Sequence, residues 1–224
     1  DWVLHPDAAE LFASIAQPRT RFIGPVAWAP SLPLPSEWAR LEKEADGLPR
    51  VYVNLGSTGG RGVFQKVLNA LAPLPVHVLA STAGNQESFQ APANALVAGV
   101  APGDKASALA DVVISNGGNL TAYQSLAAGK PIIGLAMNTD QFLNMAVMED
   151  AGCGRLLRAH SCSTEHIRTA VLEAVAPGRV RSGAERVGEI IQRTNSGVAF
   201  ASFINKLLSP RLAPCETRGH LLKR

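Results

Sequence analysis

The stretch VVISNGGNLTAYQSLAAGKPIIGL, Val112 to Leu135, decides the fold. It opens with a short apolar run ending at Ser115, turns through Gly117 and Gly118, and closes with a second apolar run from Pro131 to Leu135. Neither run alternates apolar with polar residues, so both read as strands buried on their two faces, the pattern of a parallel sheet. The same plan recurs on either side. Val51 to Leu55, Val76 to Ala80, Ala95 to Val100 and Gly154 to Leu157 also read as short strands. Most intervals between them carry helical spacing, such as Val63, Val67, Leu68 and Leu71. Strands of this kind alternating with helices predict an α/β, Rossmann-like open parallel sheet with helices on both faces. After Ser163, Thr164 is expected to cap a helix running to about Val175. Two more helices are expected over Arg181 to Ile191 and Val198 to Leu208, separated near Gly197.

The chain outside this alternation is different in kind. Residues 1–50 contain Pro6, Pro18, Pro25, Pro30, Pro33, Pro35 and Pro49, a density that prevents long regular elements. They read as an inter-domain linker and the end of a preceding domain, with the α/β domain over 51–208 and a basic tail over 209–224. From Asn205 onward five basic residues face Glu216 alone, while the 224-residue chain as a whole is only +3. That small balance argues against nucleic-acid binding. The tail reads as a solvated end, with a weak pull toward anionic lipid as the alternative. Three cysteines, Cys153, Cys162 and Cys215, form no CxxC pair and point to reduced thiols and a cytoplasmic setting. Cys162 and His166 would share a helical face, but two ligands do not make a zinc site. No integral membrane segment is expected, because Asp111 and Lys130 interrupt the best apolar stretches. The start at Asp1 reads as that of an excised or incomplete piece.

In an open parallel sheet, ligands bind outside the carboxyl ends of the strands. Three stretches fall there. Asn54-Leu55-Gly56-Ser57-Thr58-Gly59-Gly60 lies between a strand and a helix, where glycines permit close approach and helix-start amides attract phosphate. A tight turn needing glycine for its own sake is an equal reading of this segment alone. Ile114 to Leu126 repeats the plan with more polar content, gathering Asn116, Asn119 and Thr121 at a helix start, with Gln124 one turn on. Met137 to Asn144 ends the next strand, and there Thr139 or Asp140 would serve as a plain helix cap. The glycines do not spell the GxGxxG of dehydrogenases, Pro131 after Gly129-Lys130 rules out a P-loop, and no GxSxG elbow is present.

Taken together, the order and spacing of these stretches resemble the carboxy-terminal domain of GT-B glycosyltransferases. The group in question includes UDP-glucuronosyltransferases, plant secondary-metabolite transferases and bacterial macrolide and lipid transferases. Their signature is roughly HGGxGTxxEAxxxGxPxxxxPxxxDQxxNA. Asn116-Gly117-Gly118, Thr121, Gln124, Gly129-Lys130-Pro131, Asp140-Gln141 and Asn144 match it in spacing, and the likeness extends over Val51 to about Leu157. The resemblance implies one half of a GT-B fold. It implies that Ser57, Thr58, Asn116, Gly117, Gly118 and Thr121 take the donor diphosphate and Gln124 the ribose. It further implies that Val100, Ala101 and Pro102 meet the base, while Asp140 and Gln141 meet the sugar. Two positions depart from it: Asn116 stands where relatives carry histidine, and Gln124 where they carry glutamate. Val100 replaces a stacking aromatic.

The implied activity is transfer of a sugar from a UDP- or TDP-sugar to an acceptor hydroxyl. No catalytic residue is expected in this chain and no metal or other cofactor. The base and acceptor pocket would belong to an amino-terminal acceptor domain, in cis or as a partner chain. A non-catalytic nucleotide-sugar-binding subunit, or one half of a split transferase, is the alternative. A nucleotide-sugar epimerase is less favoured because its acidic catalytic residues have no counterpart.

Overall fold

A computed structural model describes residues 3–12, 18–26, 28–41, 47–57, 59–85 and 89–209. Thr58 and nearly all of the basic tail lie outside them. In chain order the elements are β1 (Val3–His5), α1 (Ala9–Phe12), β2 (Thr20–Phe22), α2 (Ser36–Leu41), β3 (Arg50–Asn54), α3 (Arg61–Leu71), β4 (His77–Ser81) and β5 (Ala95–Ala98). They continue with α4 (Gly103–Leu109), β6 (Val112–Ser115), α5 (Asn119–Ala127), β7 (Ile132–Ala136), α6 (Thr139–Asp150), β8 (Gly154–Arg158), α7 (Thr164–Val175), α8 (Arg179–Arg193) and α9 (Ser196–Leu208).

Strands β3 to β8 form one parallel sheet in the order β5-β4-β3-β6-β7-β8. These are the six strands expected from the apolar runs. The order reverses between β3 and β6, and their last residues, Asn54 and Ser115, stand side by side. That reversal opens a crevice at the carboxyl edge, the place where such sheets take ligands.

Side-chain alternation along the strands sorts the core into layers. Val51 and Val53 of β3 pack with α3 and α7 on one face, while Tyr52 between them packs with α4 on the other. Each fully buried valine or leucine of this kind contributes about 1.5–3 kcal/mol. Burial pushes the Tyr52 hydroxyl up to about 12, against a hydrogen bond from Asn54 that lowers it. Further along the second face, α5, α6 and α8 enclose Leu126, Met145, Met148 and Ala184.

The proline-rich segment supplies short elements, as its composition requires, and parts of it are packed into the domain. Ala8, Leu11 and Phe12 join the core beneath α5 and α8. The Tyr123 hydroxyl donates to Asp7 Oδ1 at 2.9 Å and accepts from the Ala8 amide at 3.2 Å. Trp38, 1 % exposed, meets Tyr52 edge-on at 5.9 Å.

Three local expectations are corrected. Ser163, not Thr164, caps α7: its hydroxyl accepts from the His166 amide and His166 Nδ1 accepts from the Ser163 amide, a reciprocal capping box. The break between α8 and α9 falls at Thr194 and Asn195, where Asn195 caps by accepting from the Val198 amide, and Gly197 lies inside α9. Cys162 precedes α7 instead of sharing a face with His166, and its thiol turns to the Ala159 carbonyl at 3.8 Å. Cys153 is a free buried thiol pushed up to about 11 by burial. Among the described residues no helix is long and apolar enough to cross a membrane.

Candidate functional site

The site grows from two strand ends at the switch point. Beyond β3, Asn54 shapes the turn by accepting the Gly56 amide at 3.0 Å while its own amide donates to the Tyr52 hydroxyl at 3.1 Å. Gly56 adopts φ +62°, and a Cβ there would lie 3.2 Å from Asn116 Nδ2. The backbone of the first loop therefore rests against the side chain of the second, which explains glycine at this position more fully than turn geometry alone. Ser57 is exposed beside it, and Thr58 lies outside the described residues.

Beyond β6, the Ser115 hydroxyl accepts the Gly117 amide at 2.9 Å and Asn116 Oδ1 accepts the Gly118 amide at 2.9 Å. Gly117 adopts φ +83°, packed so closely on Met145 and Gln141 that a side chain would collide with them. Both glycine amides are thus consumed within the loop. Gly117 and Gly118 bring shape to the site, and the donors they expose to a ligand are those that follow.

Helix α5 starts at Asn119 with Gly118 as N-cap and no side-chain cap. The amides of Asn119, Leu120 and Thr121 have no acceptor among the described residues, and the Ala122 amide is the first to bond back, to Gly118. Asn119 Oδ1 is also buried without a partner there. Helix α3 likewise starts at Arg61 with Gly60 as N-cap and no side-chain cap. Uncapped helix starts of this kind leave amide donors and a positive dipole end available to an anion.

The third stretch divides its roles differently from either expected cap. Asn138 caps α6, its Oδ1 accepting from the Gln141 amide at 3.0 Å. Thr139 and Asp140 are exposed in the first turn and free of that duty. Gln141 is 4 % exposed and its Oε1 accepts the Met137 amide at 2.8 Å, so its oxygen holds the loop together. Asn144 reaches from α6 to the Gly117 carbonyl at 3.4 Å, tying the second and third stretches. At the outer end of the same edge, the Arg158 guanidinium lies 4.9 Å from the centre of the Phe142 ring.

On the other side of the crevice, Val100 is 54 % exposed, while Ala101 and Pro102 are buried at the start of α4, with Pro102 as its N-cap. The turn after β4 bonds to Ala98 and Gly99 just before them, and within it Ala83 holds φ +54°, a conformation that costs a non-glycine residue. Gln124, 6 % exposed, donates from Nε2 to the Trp28 carbonyl at 2.7 Å. Its oxygen occupies the place a Cβ on Gly103 would take.

The loops after β3, β6 and β7 therefore meet through Gly56 and Asn116, and through Gly117, Gln141 and Asn144, while Gln124 links α5 to Gly103 at the start of α4. Asn54, Ser115, Asn138 and Trp28 have structural roles beyond those expected from the sequence. The first three are short polar side chains beside loop amides, a turn-forming signal that was present in the sequence. Trp28 had no local signal, since its contact lies 96 residues away.

Fold and site together define a doubly wound α/β domain with a crevice at its switch point. Residues 51–189 match the glycosyltransferase family 28 C-terminal domain, and the chain belongs to that family. It is 43 % identical over 204 residues to a PGL/p-HBAD biosynthesis glycosyltransferase of Mycobacterium tuberculosis, an alignment covering 91 % of this chain and 46 % of that protein. It is 41 % identical over 198 residues to a PGL/p-HBAD biosynthesis rhamnosyltransferase of Mycobacterium bovis, covering 88 % and 43 %. The chain thus spans about half the length of these relatives. Among solved structures, the spinosyn rhamnosyltransferase SpnG complexed with thymidine diphosphate superposes with a TM-score of 0.78 at 21 % identity, covering 92 % of this chain and 57 % of that one. The fold is that of the carboxy-terminal half of a GT-B glycosyltransferase.

Proposed function

We propose that this chain binds the donor of a sugar transfer from a pyrimidine nucleoside diphosphate sugar to an acceptor hydroxyl. The observation that carries the reading is the set of three amides, Asn119 to Thr121, without an acceptor among the described residues, in the helix start that follows the loop touching Gly56 through Asn116. The diphosphate lies over these amides with Asn116 and Ser57 beside it. The sugar projects toward Asp140, the exposed carboxylate of the third stretch, and the base rests on Val100 to Pro102. Gln124 closes the ribose end. The rhamnosyltransferase name of one relative and the thymidine diphosphate in the solved neighbour support a TDP-deoxyhexose donor.

In the transfer, a base outside these residues takes the proton from the acceptor hydroxyl as its oxygen attacks the anomeric carbon on the face opposite the diphosphate, inverting that centre. The bond to the diphosphate breaks, and its growing charge is met by donors already aimed at it. Fixed amides and helix dipoles meet that charge, and the step runs without a metal. The acceptor pocket and base belong to a further domain, in cis or from a partner chain, consistent with a chain that spans about half of its relatives.

Calorimetric titration of the chain with UDP, TDP and inorganic pyrophosphate tests the reading. Saturable binding of a nucleotide, with pyrophosphate competing, is the expected result. No binding of either nucleotide would remove the donor-site assignment.

A further inference from the structure

The flank assigned to the base, Val100 to Pro102, is aliphatic and offers no π face. Yet the most exposed aromatic residue among the described residues, Trp28 at 65 %, has its backbone tied through Gln124 to Gly103, the residue that follows this flank. We propose that Trp28, reaching over from the proline-rich segment, is the platform on which the nucleobase stacks; this rests on the donor-site reading above.

The geometry is a relay of close contacts. Gln124 donates to the Trp28 carbonyl at 2.7 Å, and its oxygen fills the space left open above Gly103. Gly103 is the residue after Pro102 and the first of α4. The backbone of Trp28 is thereby fixed within a side-chain length of the segment that meets the base. A second tie holds the same strip of chain along α4, where Lys105 Nζ donates to the Leu32 carbonyl at 2.8 Å. Gln124 itself is 6 % exposed, so the anchor is buried while the indole it carries is not.

That combination needs an explanation. A large indole left in water forgoes the stabilisation its burial would give, and Trp38 ten residues on is 1 % exposed in the core. Pinning the backbone of an exposed aromatic lowers the ordering cost when a flat partner arrives. A nucleobase presents such a face, and stacking is tolerant of which pyrimidine is bound.

The test is calorimetry on the full chain with UDP, TDP and inorganic pyrophosphate, the last sharing the diphosphate but lacking a base. Trp28→Ala should weaken both nucleotides about tenfold or more while leaving pyrophosphate unchanged. Trp28→Phe, which keeps a ring, should bind nucleotide near the parental affinity and lose the quenching of tryptophan fluorescence that TDP causes in the parent. Parental nucleotide affinity in Trp28→Ala, or an equal loss of pyrophosphate, would overturn the stacking role and leave the donor site standing. A parent that binds pyrophosphate and no nucleotide more tightly would also overturn it. A parent that binds none of the three would remove both readings.

Discussion

Asn116 Nδ2 stands 3.2 Å from the point where a Cβ on Gly56 would sit, so the loops after β3 and β6 are in contact through a side chain and a bare backbone. The strand ends that carry them, Asn54 and Ser115, are paired in register. Sheet register thus fixes the relative position of two loops that lie sixty residues apart in the chain.

Gly56→Ala places a methyl against that amide and imposes φ +62° on a residue with a Cβ. The conformational cost is about 1–2 kcal/mol, which for a chain of this size lowers the melting temperature by roughly 2–4 °C per kcal/mol. Nucleotide affinity should fall about tenfold or more as Asn116 is displaced. Thermal melting and calorimetry on the variant read the two effects separately, and a variant with unchanged affinity would detach Gly56 from the site.

Asn116→Asp keeps the acceptor for the Gly118 amide but replaces the other donor with a negative oxygen. The loop should hold its shape while UDP binding weakens by about tenfold or more, the worth of a hydrogen bond to a charged group. Protonating the new carboxyl removes its charge, so the deficit should shrink as pH falls from 7 toward 4. Affinity measured across that range with melting unchanged checks the position; a pH-independent deficit would place residue 116 away from the phosphates.

The third stretch separates a cap from a ligand contact. Asn138→Ala removes the α6 cap and should cost about 1 kcal/mol of stability. Asp140→Ala should leave stability within about 0.5 kcal/mol and weaken a nucleotide sugar more than the free nucleotide. Denaturant unfolding and paired titrations decide it, and an Asp140→Ala that loses free UDP as severely as UDP-sugar contradicts the sugar contact.

Tyr52 contributes to an alkaline limit of the fold, alongside the buried Tyr123 and Cys153, which burial also raises. The Tyr52 hydroxyl is raised by burial from 10.0 to about 12 in the folded chain, so the unfolded chain ionises first. The folded state binds the proton more tightly, and stability is lost as pH rises from about 10 to 12, by roughly 2–3 kcal/mol. Tyr52→Phe should flatten this part of the stability profile. A profile as steep as the parent's would assign the alkaline loss to other groups.

The six strands were legible because buried parallel strands are nearly continuous apolar runs, a signal that survives without knowledge of tertiary contacts. Boundaries shifted by a residue or two at their ends, as at Arg50 and Ala136. Cap identities were less legible. Ser163 beside Thr164 and Asn138 beside Thr139 are chemically equivalent candidates, and only backbone angles choose between them. The spacing places Gly56, Asn116, Thr121 and Asp140 after the carboxyl ends of their strands, as the structure has them, but could not show that the Gly117 and Gly118 amides are consumed by Ser115 and Asn116. Nor could it show Trp38 under α4 or Trp28 on Gln124, contacts that join the proline-rich segment to the domain across long separations.

The central claim is that a nucleoside diphosphate is held by the start of α5. Amide hydrogen exchange with nitrogen-15 detection, recorded with and without TDP, reads those groups one by one. The account predicts slowed exchange and shifted resonances at Asn119, Leu120 and Thr121, with Gly56 perturbed alongside them and α9 unchanged. Saturating TDP that leaves Asn119 to Thr121 unprotected while protecting another part of the chain would contradict it.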